Sequence, residues 1–143
     1  PATERKPEKI NKELRDIPAG IGTILVVDDE ETVRNFTKET IESLGYNILL
    51  AADGYEALGI FNLRKADIDL VILDLIMPKM SGDEVFHRMK LEDPDVNVLI
   101  SSGYGIEEQT KGMMKDTGIS GFLHKPYNIS EIAEAVKMAL SAA

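Results

Sequence analysis

Leu70-Val71-Ile72-Leu73-Asp74-Leu75-Ile76-Met77-Pro78 sets a single carboxylate inside one of the most apolar stretches of the chain. Four consecutive aliphatic residues closing on an acid read as a fully buried strand with its chemistry at the C-terminal end. Burying a charge there is costly unless it is paired or bound to a metal. The same arrangement recurs upstream, where Ile24-Leu25-Val26-Val27 runs into Asp28-Asp29, and downstream, where Gly121-Phe122-Leu123 leads to Lys125-Pro126. Ser101 and Ser102 close another such run before Gly103. In an open parallel sheet the C-terminal ends of the strands converge on one edge, and ligands bind there.

Working outward, short aliphatic runs alternate with helical patterns from residue 23 onward. The runs are Thr23 to Val27, Asn47 to Ala51, Leu70 to Asp74, Asn97 to Ser101 and Ile119 to Leu123. Between them Val33, Phe36, Thr40, Ile41 and Leu44 recur at helical spacing, as do Ala57, Leu58 and Phe61, and then Ile132, Ala133, Val136 and Leu140. The pattern predicts an α/β fold, a doubly wound (βα)5 three-layer sandwich around a five-stranded parallel sheet; the flavodoxin-like order 2-1-3-4-5 is what the family resemblance of the site residues, given below, implies. Asp53 with Glu56, Ser81 with Glu84, and Asn128 with Glu131 have capping-box spacing, and Met80 with Val85 has the spacing of a hydrophobic staple. Gly45 and Gly118 suit helix C-termini.

Composition narrows the function. The 143 residues fit one domain, and their net charge of -9 argues against a surface that grips nucleic acid. Residues 1–20 carry five Lys and Arg against four Asp and Glu, or +1, which leaves -10 for residues 21–143. We therefore divide the chain into a linker or tail, residues 1–20, and a domain, residues 21–143; the leader's large apolar residues are Ile10, Leu14 and Ile17. The absence of cysteine excludes disulfides and thiolate metal sites, and permits a reducing cytoplasm. No apolar run approaches the roughly 20 residues that span a bilayer, and the charged N-terminus contains no signal-peptide core.

The acids and the lysine at the strand ends suit a divalent cation and a phosphate. Mg2+ takes carboxylate oxygens, waters and phosphate, and a lysine pairs with phosphate as a point charge. For Asp28 and Asp29 the competing reading is a cap on the helix that begins near Glu31. Asp74 has no such competitor, because Ser81 already occupies the cap of the next helix. Lys125 calls for a carboxylate or phosphate partner, against the plainer reading of a solvated loop lysine. His87 and His124 lack metal-ligand spacing and read as surface residues. Asp67, Asp69, Asp93 and Asp95 precede strands and read as turn residues of the opposite edge.

In this order and spacing, Asp28-Asp29, Asp74, Ser102 and Lys125-Pro126 resemble the receiver domain of two-component response regulators, over about residues 22 to 141. The resemblance implies that Asp74 accepts a phosphoryl group and that Asp29, Asp74 and the Ile76 carbonyl bind Mg2+ directly, with Asp28 acting through water. It implies that Ser102 and Lys125 hold phosphoryl oxygens, that Phe122 is the aromatic switch, and that the Lys125–Pro126 bond is cis. Ile76 and Tyr104 would modulate the access of attacking water. Serine at 102 and phenylalanine at 122 depart from the more frequent threonine and tyrosine, and the second departure removes a reporting hydroxyl. Output would be a shift of the surface formed by the fourth helix, fifth strand and fifth helix.

The segments around Asp28-Asp29-Glu30, Leu75-Ile76-Met77-Pro78 and Ser101-Ser102-Gly103-Tyr104 look most like the C-terminal receivers of hybrid sensor histidine kinases. That context implies a cytoplasmic phosphorelay, a histidine kinase donor in cis or trans and a histidine phosphotransfer protein as a further partner, with no direct nucleic-acid or membrane contact. A Pro-containing linker would then account for residues 1–20 and the missing initiator methionine, which removal of a Met before Pro1 would also explain. The domain itself would be no enzyme beyond Mg2+-dependent self-phosphorylation and autodephosphorylation. A stand-alone single-domain regulator is the alternative. A phosphohydrolase resembling haloacid dehalogenases and a pseudo-receiver are further readings; the first lacks its two-acid motif after the first strand, and the second would lack a member of the site set.

Overall fold

The computed structural model describes residues 22–103 and 118–141. Its five strands are β1 (Thr23–Val27), β2 (Asn47–Ala51), β3 (Ile68–Asp74), β4 (Val98–Ser102) and β5 (Ile119–His124). The described helices are α1 (Glu31–Ser43), α2 (Gly54–Arg64), α3 (Gly82–Glu92) and α4 (Ile129–Ser141). All strand pairs are parallel, in the order β2-β1-β3-β4-β5. The flavodoxin-like sandwich read from the sequence is the fold observed. The helix expected between β4 and β5 falls outside the described residues, as does the leader.

Every residue of β1 is buried because the strand is covered on both faces. Leu25 and Val27 join Val71, Leu73, Val98 and Ile100 in one core, closed by Phe61 of α2 and Val85, Phe86 and Met89 of α3. Ile24 and Val26 face the other way and pack with Leu70, Ile72 and Leu99 under Ile41 of α1 and Ile132 and Val136 of α4. Alternate side chains thus serve opposite layers, which is why the strands carry no polar face. Burying Phe61 or Phe86 stabilises the fold by about 2–3 kcal/mol each.

Local signals place the helices. Asp53 accepts a hydrogen bond from Glu56 N at 2.8 Å, while Glu56 reaches back to Ala52 N rather than to Asp53. Asn128 and Glu131 form the reciprocal pair, at 2.9 and 3.2 Å. Ser81 caps α3 through a longer contact, 3.4 Å to Glu84 N, and Met80 and Val85 lie in the same buried cluster. Gly45 and Gly118 both have positive φ, 99° and 108°.

Three readings need correction. Phe36, expected on the inner face of α1, is 37% exposed, and Thr37 is the residue that is fully buried; the helix phase turns the polar threonine inward and satisfies it locally. β3 begins at Ile68, so Asp69 lies within the strand, where it accepts a bond from Thr23 N. β4 continues to Ser102 because Ser102 pairs with His124 of β5.

Candidate functional site

Sheet topology does the assembling. β1 and β3 are neighbours, so Val27 and Leu73 are partners in register and the following residues, Asp28 and Asp74, leave the sheet side by side. On the other flank of β3, Asp74 is level with Ser101. Next to it, Ser102 is level with His124, which places Lys125 one step beyond. Two backbone bonds tie these ends, Leu75 N to Ser101 O at 3.0 Å and Lys125 N to Ser102 O at 2.7 Å.

Lys125 Nζ lies 2.8 Å from Asp28 Oδ2, 3.2 Å from Asp74 Oδ2 and 3.7 Å from Glu30 Oε1. Asp28 and Asp74 are buried, whereas Asp29 and Glu30 are exposed. Asp28 Oδ1 also accepts from Glu30 N at 2.9 Å, and its backbone carbonyl accepts from Arg34 at 2.7 Å. Neither Asp28 nor Asp29 caps α1. The N-cap is Glu30, whose side chain makes no capping bond, so the cap reading fails.

Burial pushes the Asp74 carboxyl up to about 7, and the charge of Asp28 adds to the rise, while Lys125 holds it back. Lys125 shows the opposite balance: burial disfavours its ammonium, but the bond to Asp28 and the charge of Asp74 outweigh that, leaving its pKa raised. The lysine is therefore a fixed cation between two buried carboxyls. One oxygen each from Asp28, Asp29 and Asp74 lies within 4.8 Å of the others. An all-oxygen set that tight, open on the Asp29 side, fits a hard divalent cation that keeps some of its waters.

The remaining expected residues surround this centre. Ile76 is 59% exposed, and its N–H donates to Asp74 Oδ1 at 3.3 Å. Ser102 is buried at the end of β4, and Phe122, level with Ile100, is half-buried against the α2–α3 core. The Lys125–Pro126 bond is cis. Tyr104 lies outside the described residues. His87 and His124 are exposed. Sequence reasoning missed Glu30 and Arg34; the charge run Asp28-Asp29-Glu30 was the only signal for the first, and a helix-turn spacing the only one for the second.

Gly82 explains how the α3 layer reaches the site. A Cβ on Gly82 would sit 2.2 Å from the Asp74 carbonyl oxygen and 2.7 Å from Leu75 Cα, so only glycine lets the start of α3 lie against the backbone that carries Asp74.

A family model described as the response regulator receiver domain matches residues 24–137. Sporulation initiation phosphotransferase F of Bacillus subtilis is 38% identical over 114 residues, which are 80% of this chain and 90% of that protein. Sensor kinase CckA of Brucella abortus is 33% identical over 136 residues, 95% of this chain, yet the chain spans only 14% of that protein. Among solved structures, a response regulator receiver domain protein of Clostridium thermocellum superposes with a TM-score of 0.80 at 33% identity, covering 85% of this chain and 96% of that one.

Proposed function

Because the chain belongs to the response regulator receiver family, we propose that it accepts a phosphoryl group from a phosphohistidine onto Asp74 and releases it by hydrolysis, acting as a timed signalling domain within residues 21–143. The observation that carries this reading is the Lys125 ammonium held between Asp28 and Asp74 beside a third carboxylate. In the forward step an Asp74 oxygen attacks phosphorus, an O–P bond forms, and the P–N bond breaks with its electron pair leaving on imidazole. Lys125 turns from the acids toward a phosphoryl oxygen, and Ser102 donates its hydroxyl to another. Asp29, Asp74 and the Ile76 carbonyl would hold Mg2+ directly and Asp28 through water; when bound, the ion offsets charge on the phosphoryl oxygens. In the return step water attacks phosphorus, giving back the Asp74 carboxylate and inorganic phosphate.

Ile76 and Tyr104 flank the path of that water in this reading, and Phe122 fills the space left as Ser102 moves inward, shifting the surface around β5 and α4. Receiver domains accept phosphate from histidine kinases. Here the donor is a histidine kinase in cis or trans, with a histidine phosphotransfer protein as a further partner. The match to a sensor kinase supports a hybrid-kinase setting; the match to a sporulation phosphotransferase supports the alternative, a stand-alone regulator. Among the described residues no helix is long and apolar enough to cross a membrane.

The test is intact-protein mass after incubation with Mg2+ and acetyl phosphate. One phosphoryl adduct on the native chain, absent from Asp74→Asn, is the expected outcome. An adduct that survives Asp74→Asn would move the acceptor elsewhere, and sustained turnover of a phosphomonoester would favour a hydrolase instead.

A further inference from the structure

Tyr127 lies two residues beyond Lys125, and its hydroxyl is 2.9 Å from Thr37 Oγ1 on α1. Thr37 is fully buried and gives its only hydroxyl proton to the Val33 carbonyl, at 2.8 Å. By donor count, then, Tyr127 donates and Thr37 accepts. Ser101 Oγ is buried on the other side without a hydrogen bond of ordinary geometry among the described residues. The Ser101 hydroxyl also helps to hold down the Tyr127 phenol pKa, which burial raises. A buried hydroxyl left unpaired is costly, and the lone pair of Tyr127 is the acceptor available to it.

The three residues lie beside segments that build the site. Thr37 is on the helix that follows Asp28-Asp29, Ser101 is level with Asp74, and Tyr127 follows Lys125. On its upstream side the lysine loop is fixed by Lys125 N to Ser102 O. On its downstream side the hydroxyl of Tyr127 is the polar tie to α1. Building on the receiver reading, we propose that Tyr127 is a positioning residue: its hydroxyl, bonded to Thr37, pins the Lys125 loop to α1 so that the ammonium is aligned for the phosphoryl group. Among the described residues the Tyr127 hydroxyl is hydrogen-bonded to Thr37 and to none of Asp28, Asp29 and Asp74, although it feels the charges of Asp28 and Lys125, so its proposed effect runs through the position of Lys125.

The experiment compares native chain, Tyr127→Phe, Thr37→Val, the double variant and Thr37→Ser, following phosphoryl uptake from acetyl phosphate by intact mass and Mg2+ affinity by calorimetry. Tyr127→Phe should lower the maximal rate about 5-fold, the equivalent of one hydrogen bond, with Mg2+ affinity unchanged. Thr37→Val should act in the same direction, the double variant should be no slower than Tyr127→Phe, and Thr37→Ser should retain the native rate. A merely structural role would lower the melting temperature and leave the rate, measured well below it, untouched. A folded Tyr127→Phe protein at the native rate, or losses that multiply in the double variant, would overturn the inference. If Tyr127→Phe does not fold, Thr37→Val at the native rate overturns it equally. No adduct on the native chain overturns the receiver reading and the inference with it.

Discussion

With Lys125 held between it and Asp28, the Asp74 carboxyl keeps its proton up to about 7, chiefly because burial disfavours its charge. Unfolded, the same group ionises near 4. Between those values the native state holds a proton that the unfolded chain has released, so this group's contribution to stability is full below about pH 4 and is lost as pH rises through about 7. Asp74→Asn removes that dependence. In Mg2+-free buffer the variant should be more stable than the native chain by on the order of 1–3 kcal/mol at pH 8, with a much smaller difference at pH 4. Urea midpoints at the two pH values check this, and an equal difference at both would count against it. Asp28, Asp29, Asp74 and Lys125 were legible in the sequence because each charge abuts an apolar run, where burial makes a charge conspicuous. Thr37 and Tyr127 were not, since a threonine on a helix and a tyrosine after Lys-Pro acquire meaning only when α1 and the β5–α4 loop meet in space.

Helices α2 and α3 offer a pair of glycines with opposite roles. A Cβ on Gly59, inside α2, meets nothing within 4 Å, so glycine there only weakens the helix. Gly59→Ala should raise stability by about 0.5–1 kcal/mol, read from the urea midpoint. Gly82→Ala, by contrast, forces a methyl into the Asp74 carbonyl and should cost about 2–3 kcal/mol, and slow phosphoryl uptake beyond what lost stability explains, because α3 must back away from the strand end. At this scale the strands were the most legible elements, since being covered on both faces makes them apolar throughout. Their ends were less so: the two extra residues at the start of β3 and the extension of β4 to Ser102 depend on which neighbour offers backbone partners, and that is decided by register. Phe36 misled because an aromatic at helical spacing reads as inward-facing, while a threonine that bonds its own helix can take that place at little cost.

The sheet order makes the molecule a device for bringing the ends of four strands, β1, β3, β4 and β5, to one edge, and a cation bound there should stabilise the whole fold. At a free Mg2+ concentration a hundredfold above its dissociation constant the gain is about 2.7 kcal/mol, seen as a rise in melting temperature that chelation reverses. Asp29→Asn, which removes an exposed carboxylate proposed as a ligand and leaves the buried Asp28–Lys125–Asp74 contacts in place, should abolish most of that rise while leaving the Mg2+-free melting temperature nearly unchanged. Those buried contacts also carry a consequence for biosynthesis. Asp28 is made early, Asp74 midway and their counter-charge late, 97 and 51 residues behind them. A ribosome-bound or prematurely terminated chain therefore holds Asp28 and Asp74 without the lysine that neutralises them. Under the proposed function, such a chain lacks the ammonium that would hold a phosphoryl oxygen until residue 125 has been added.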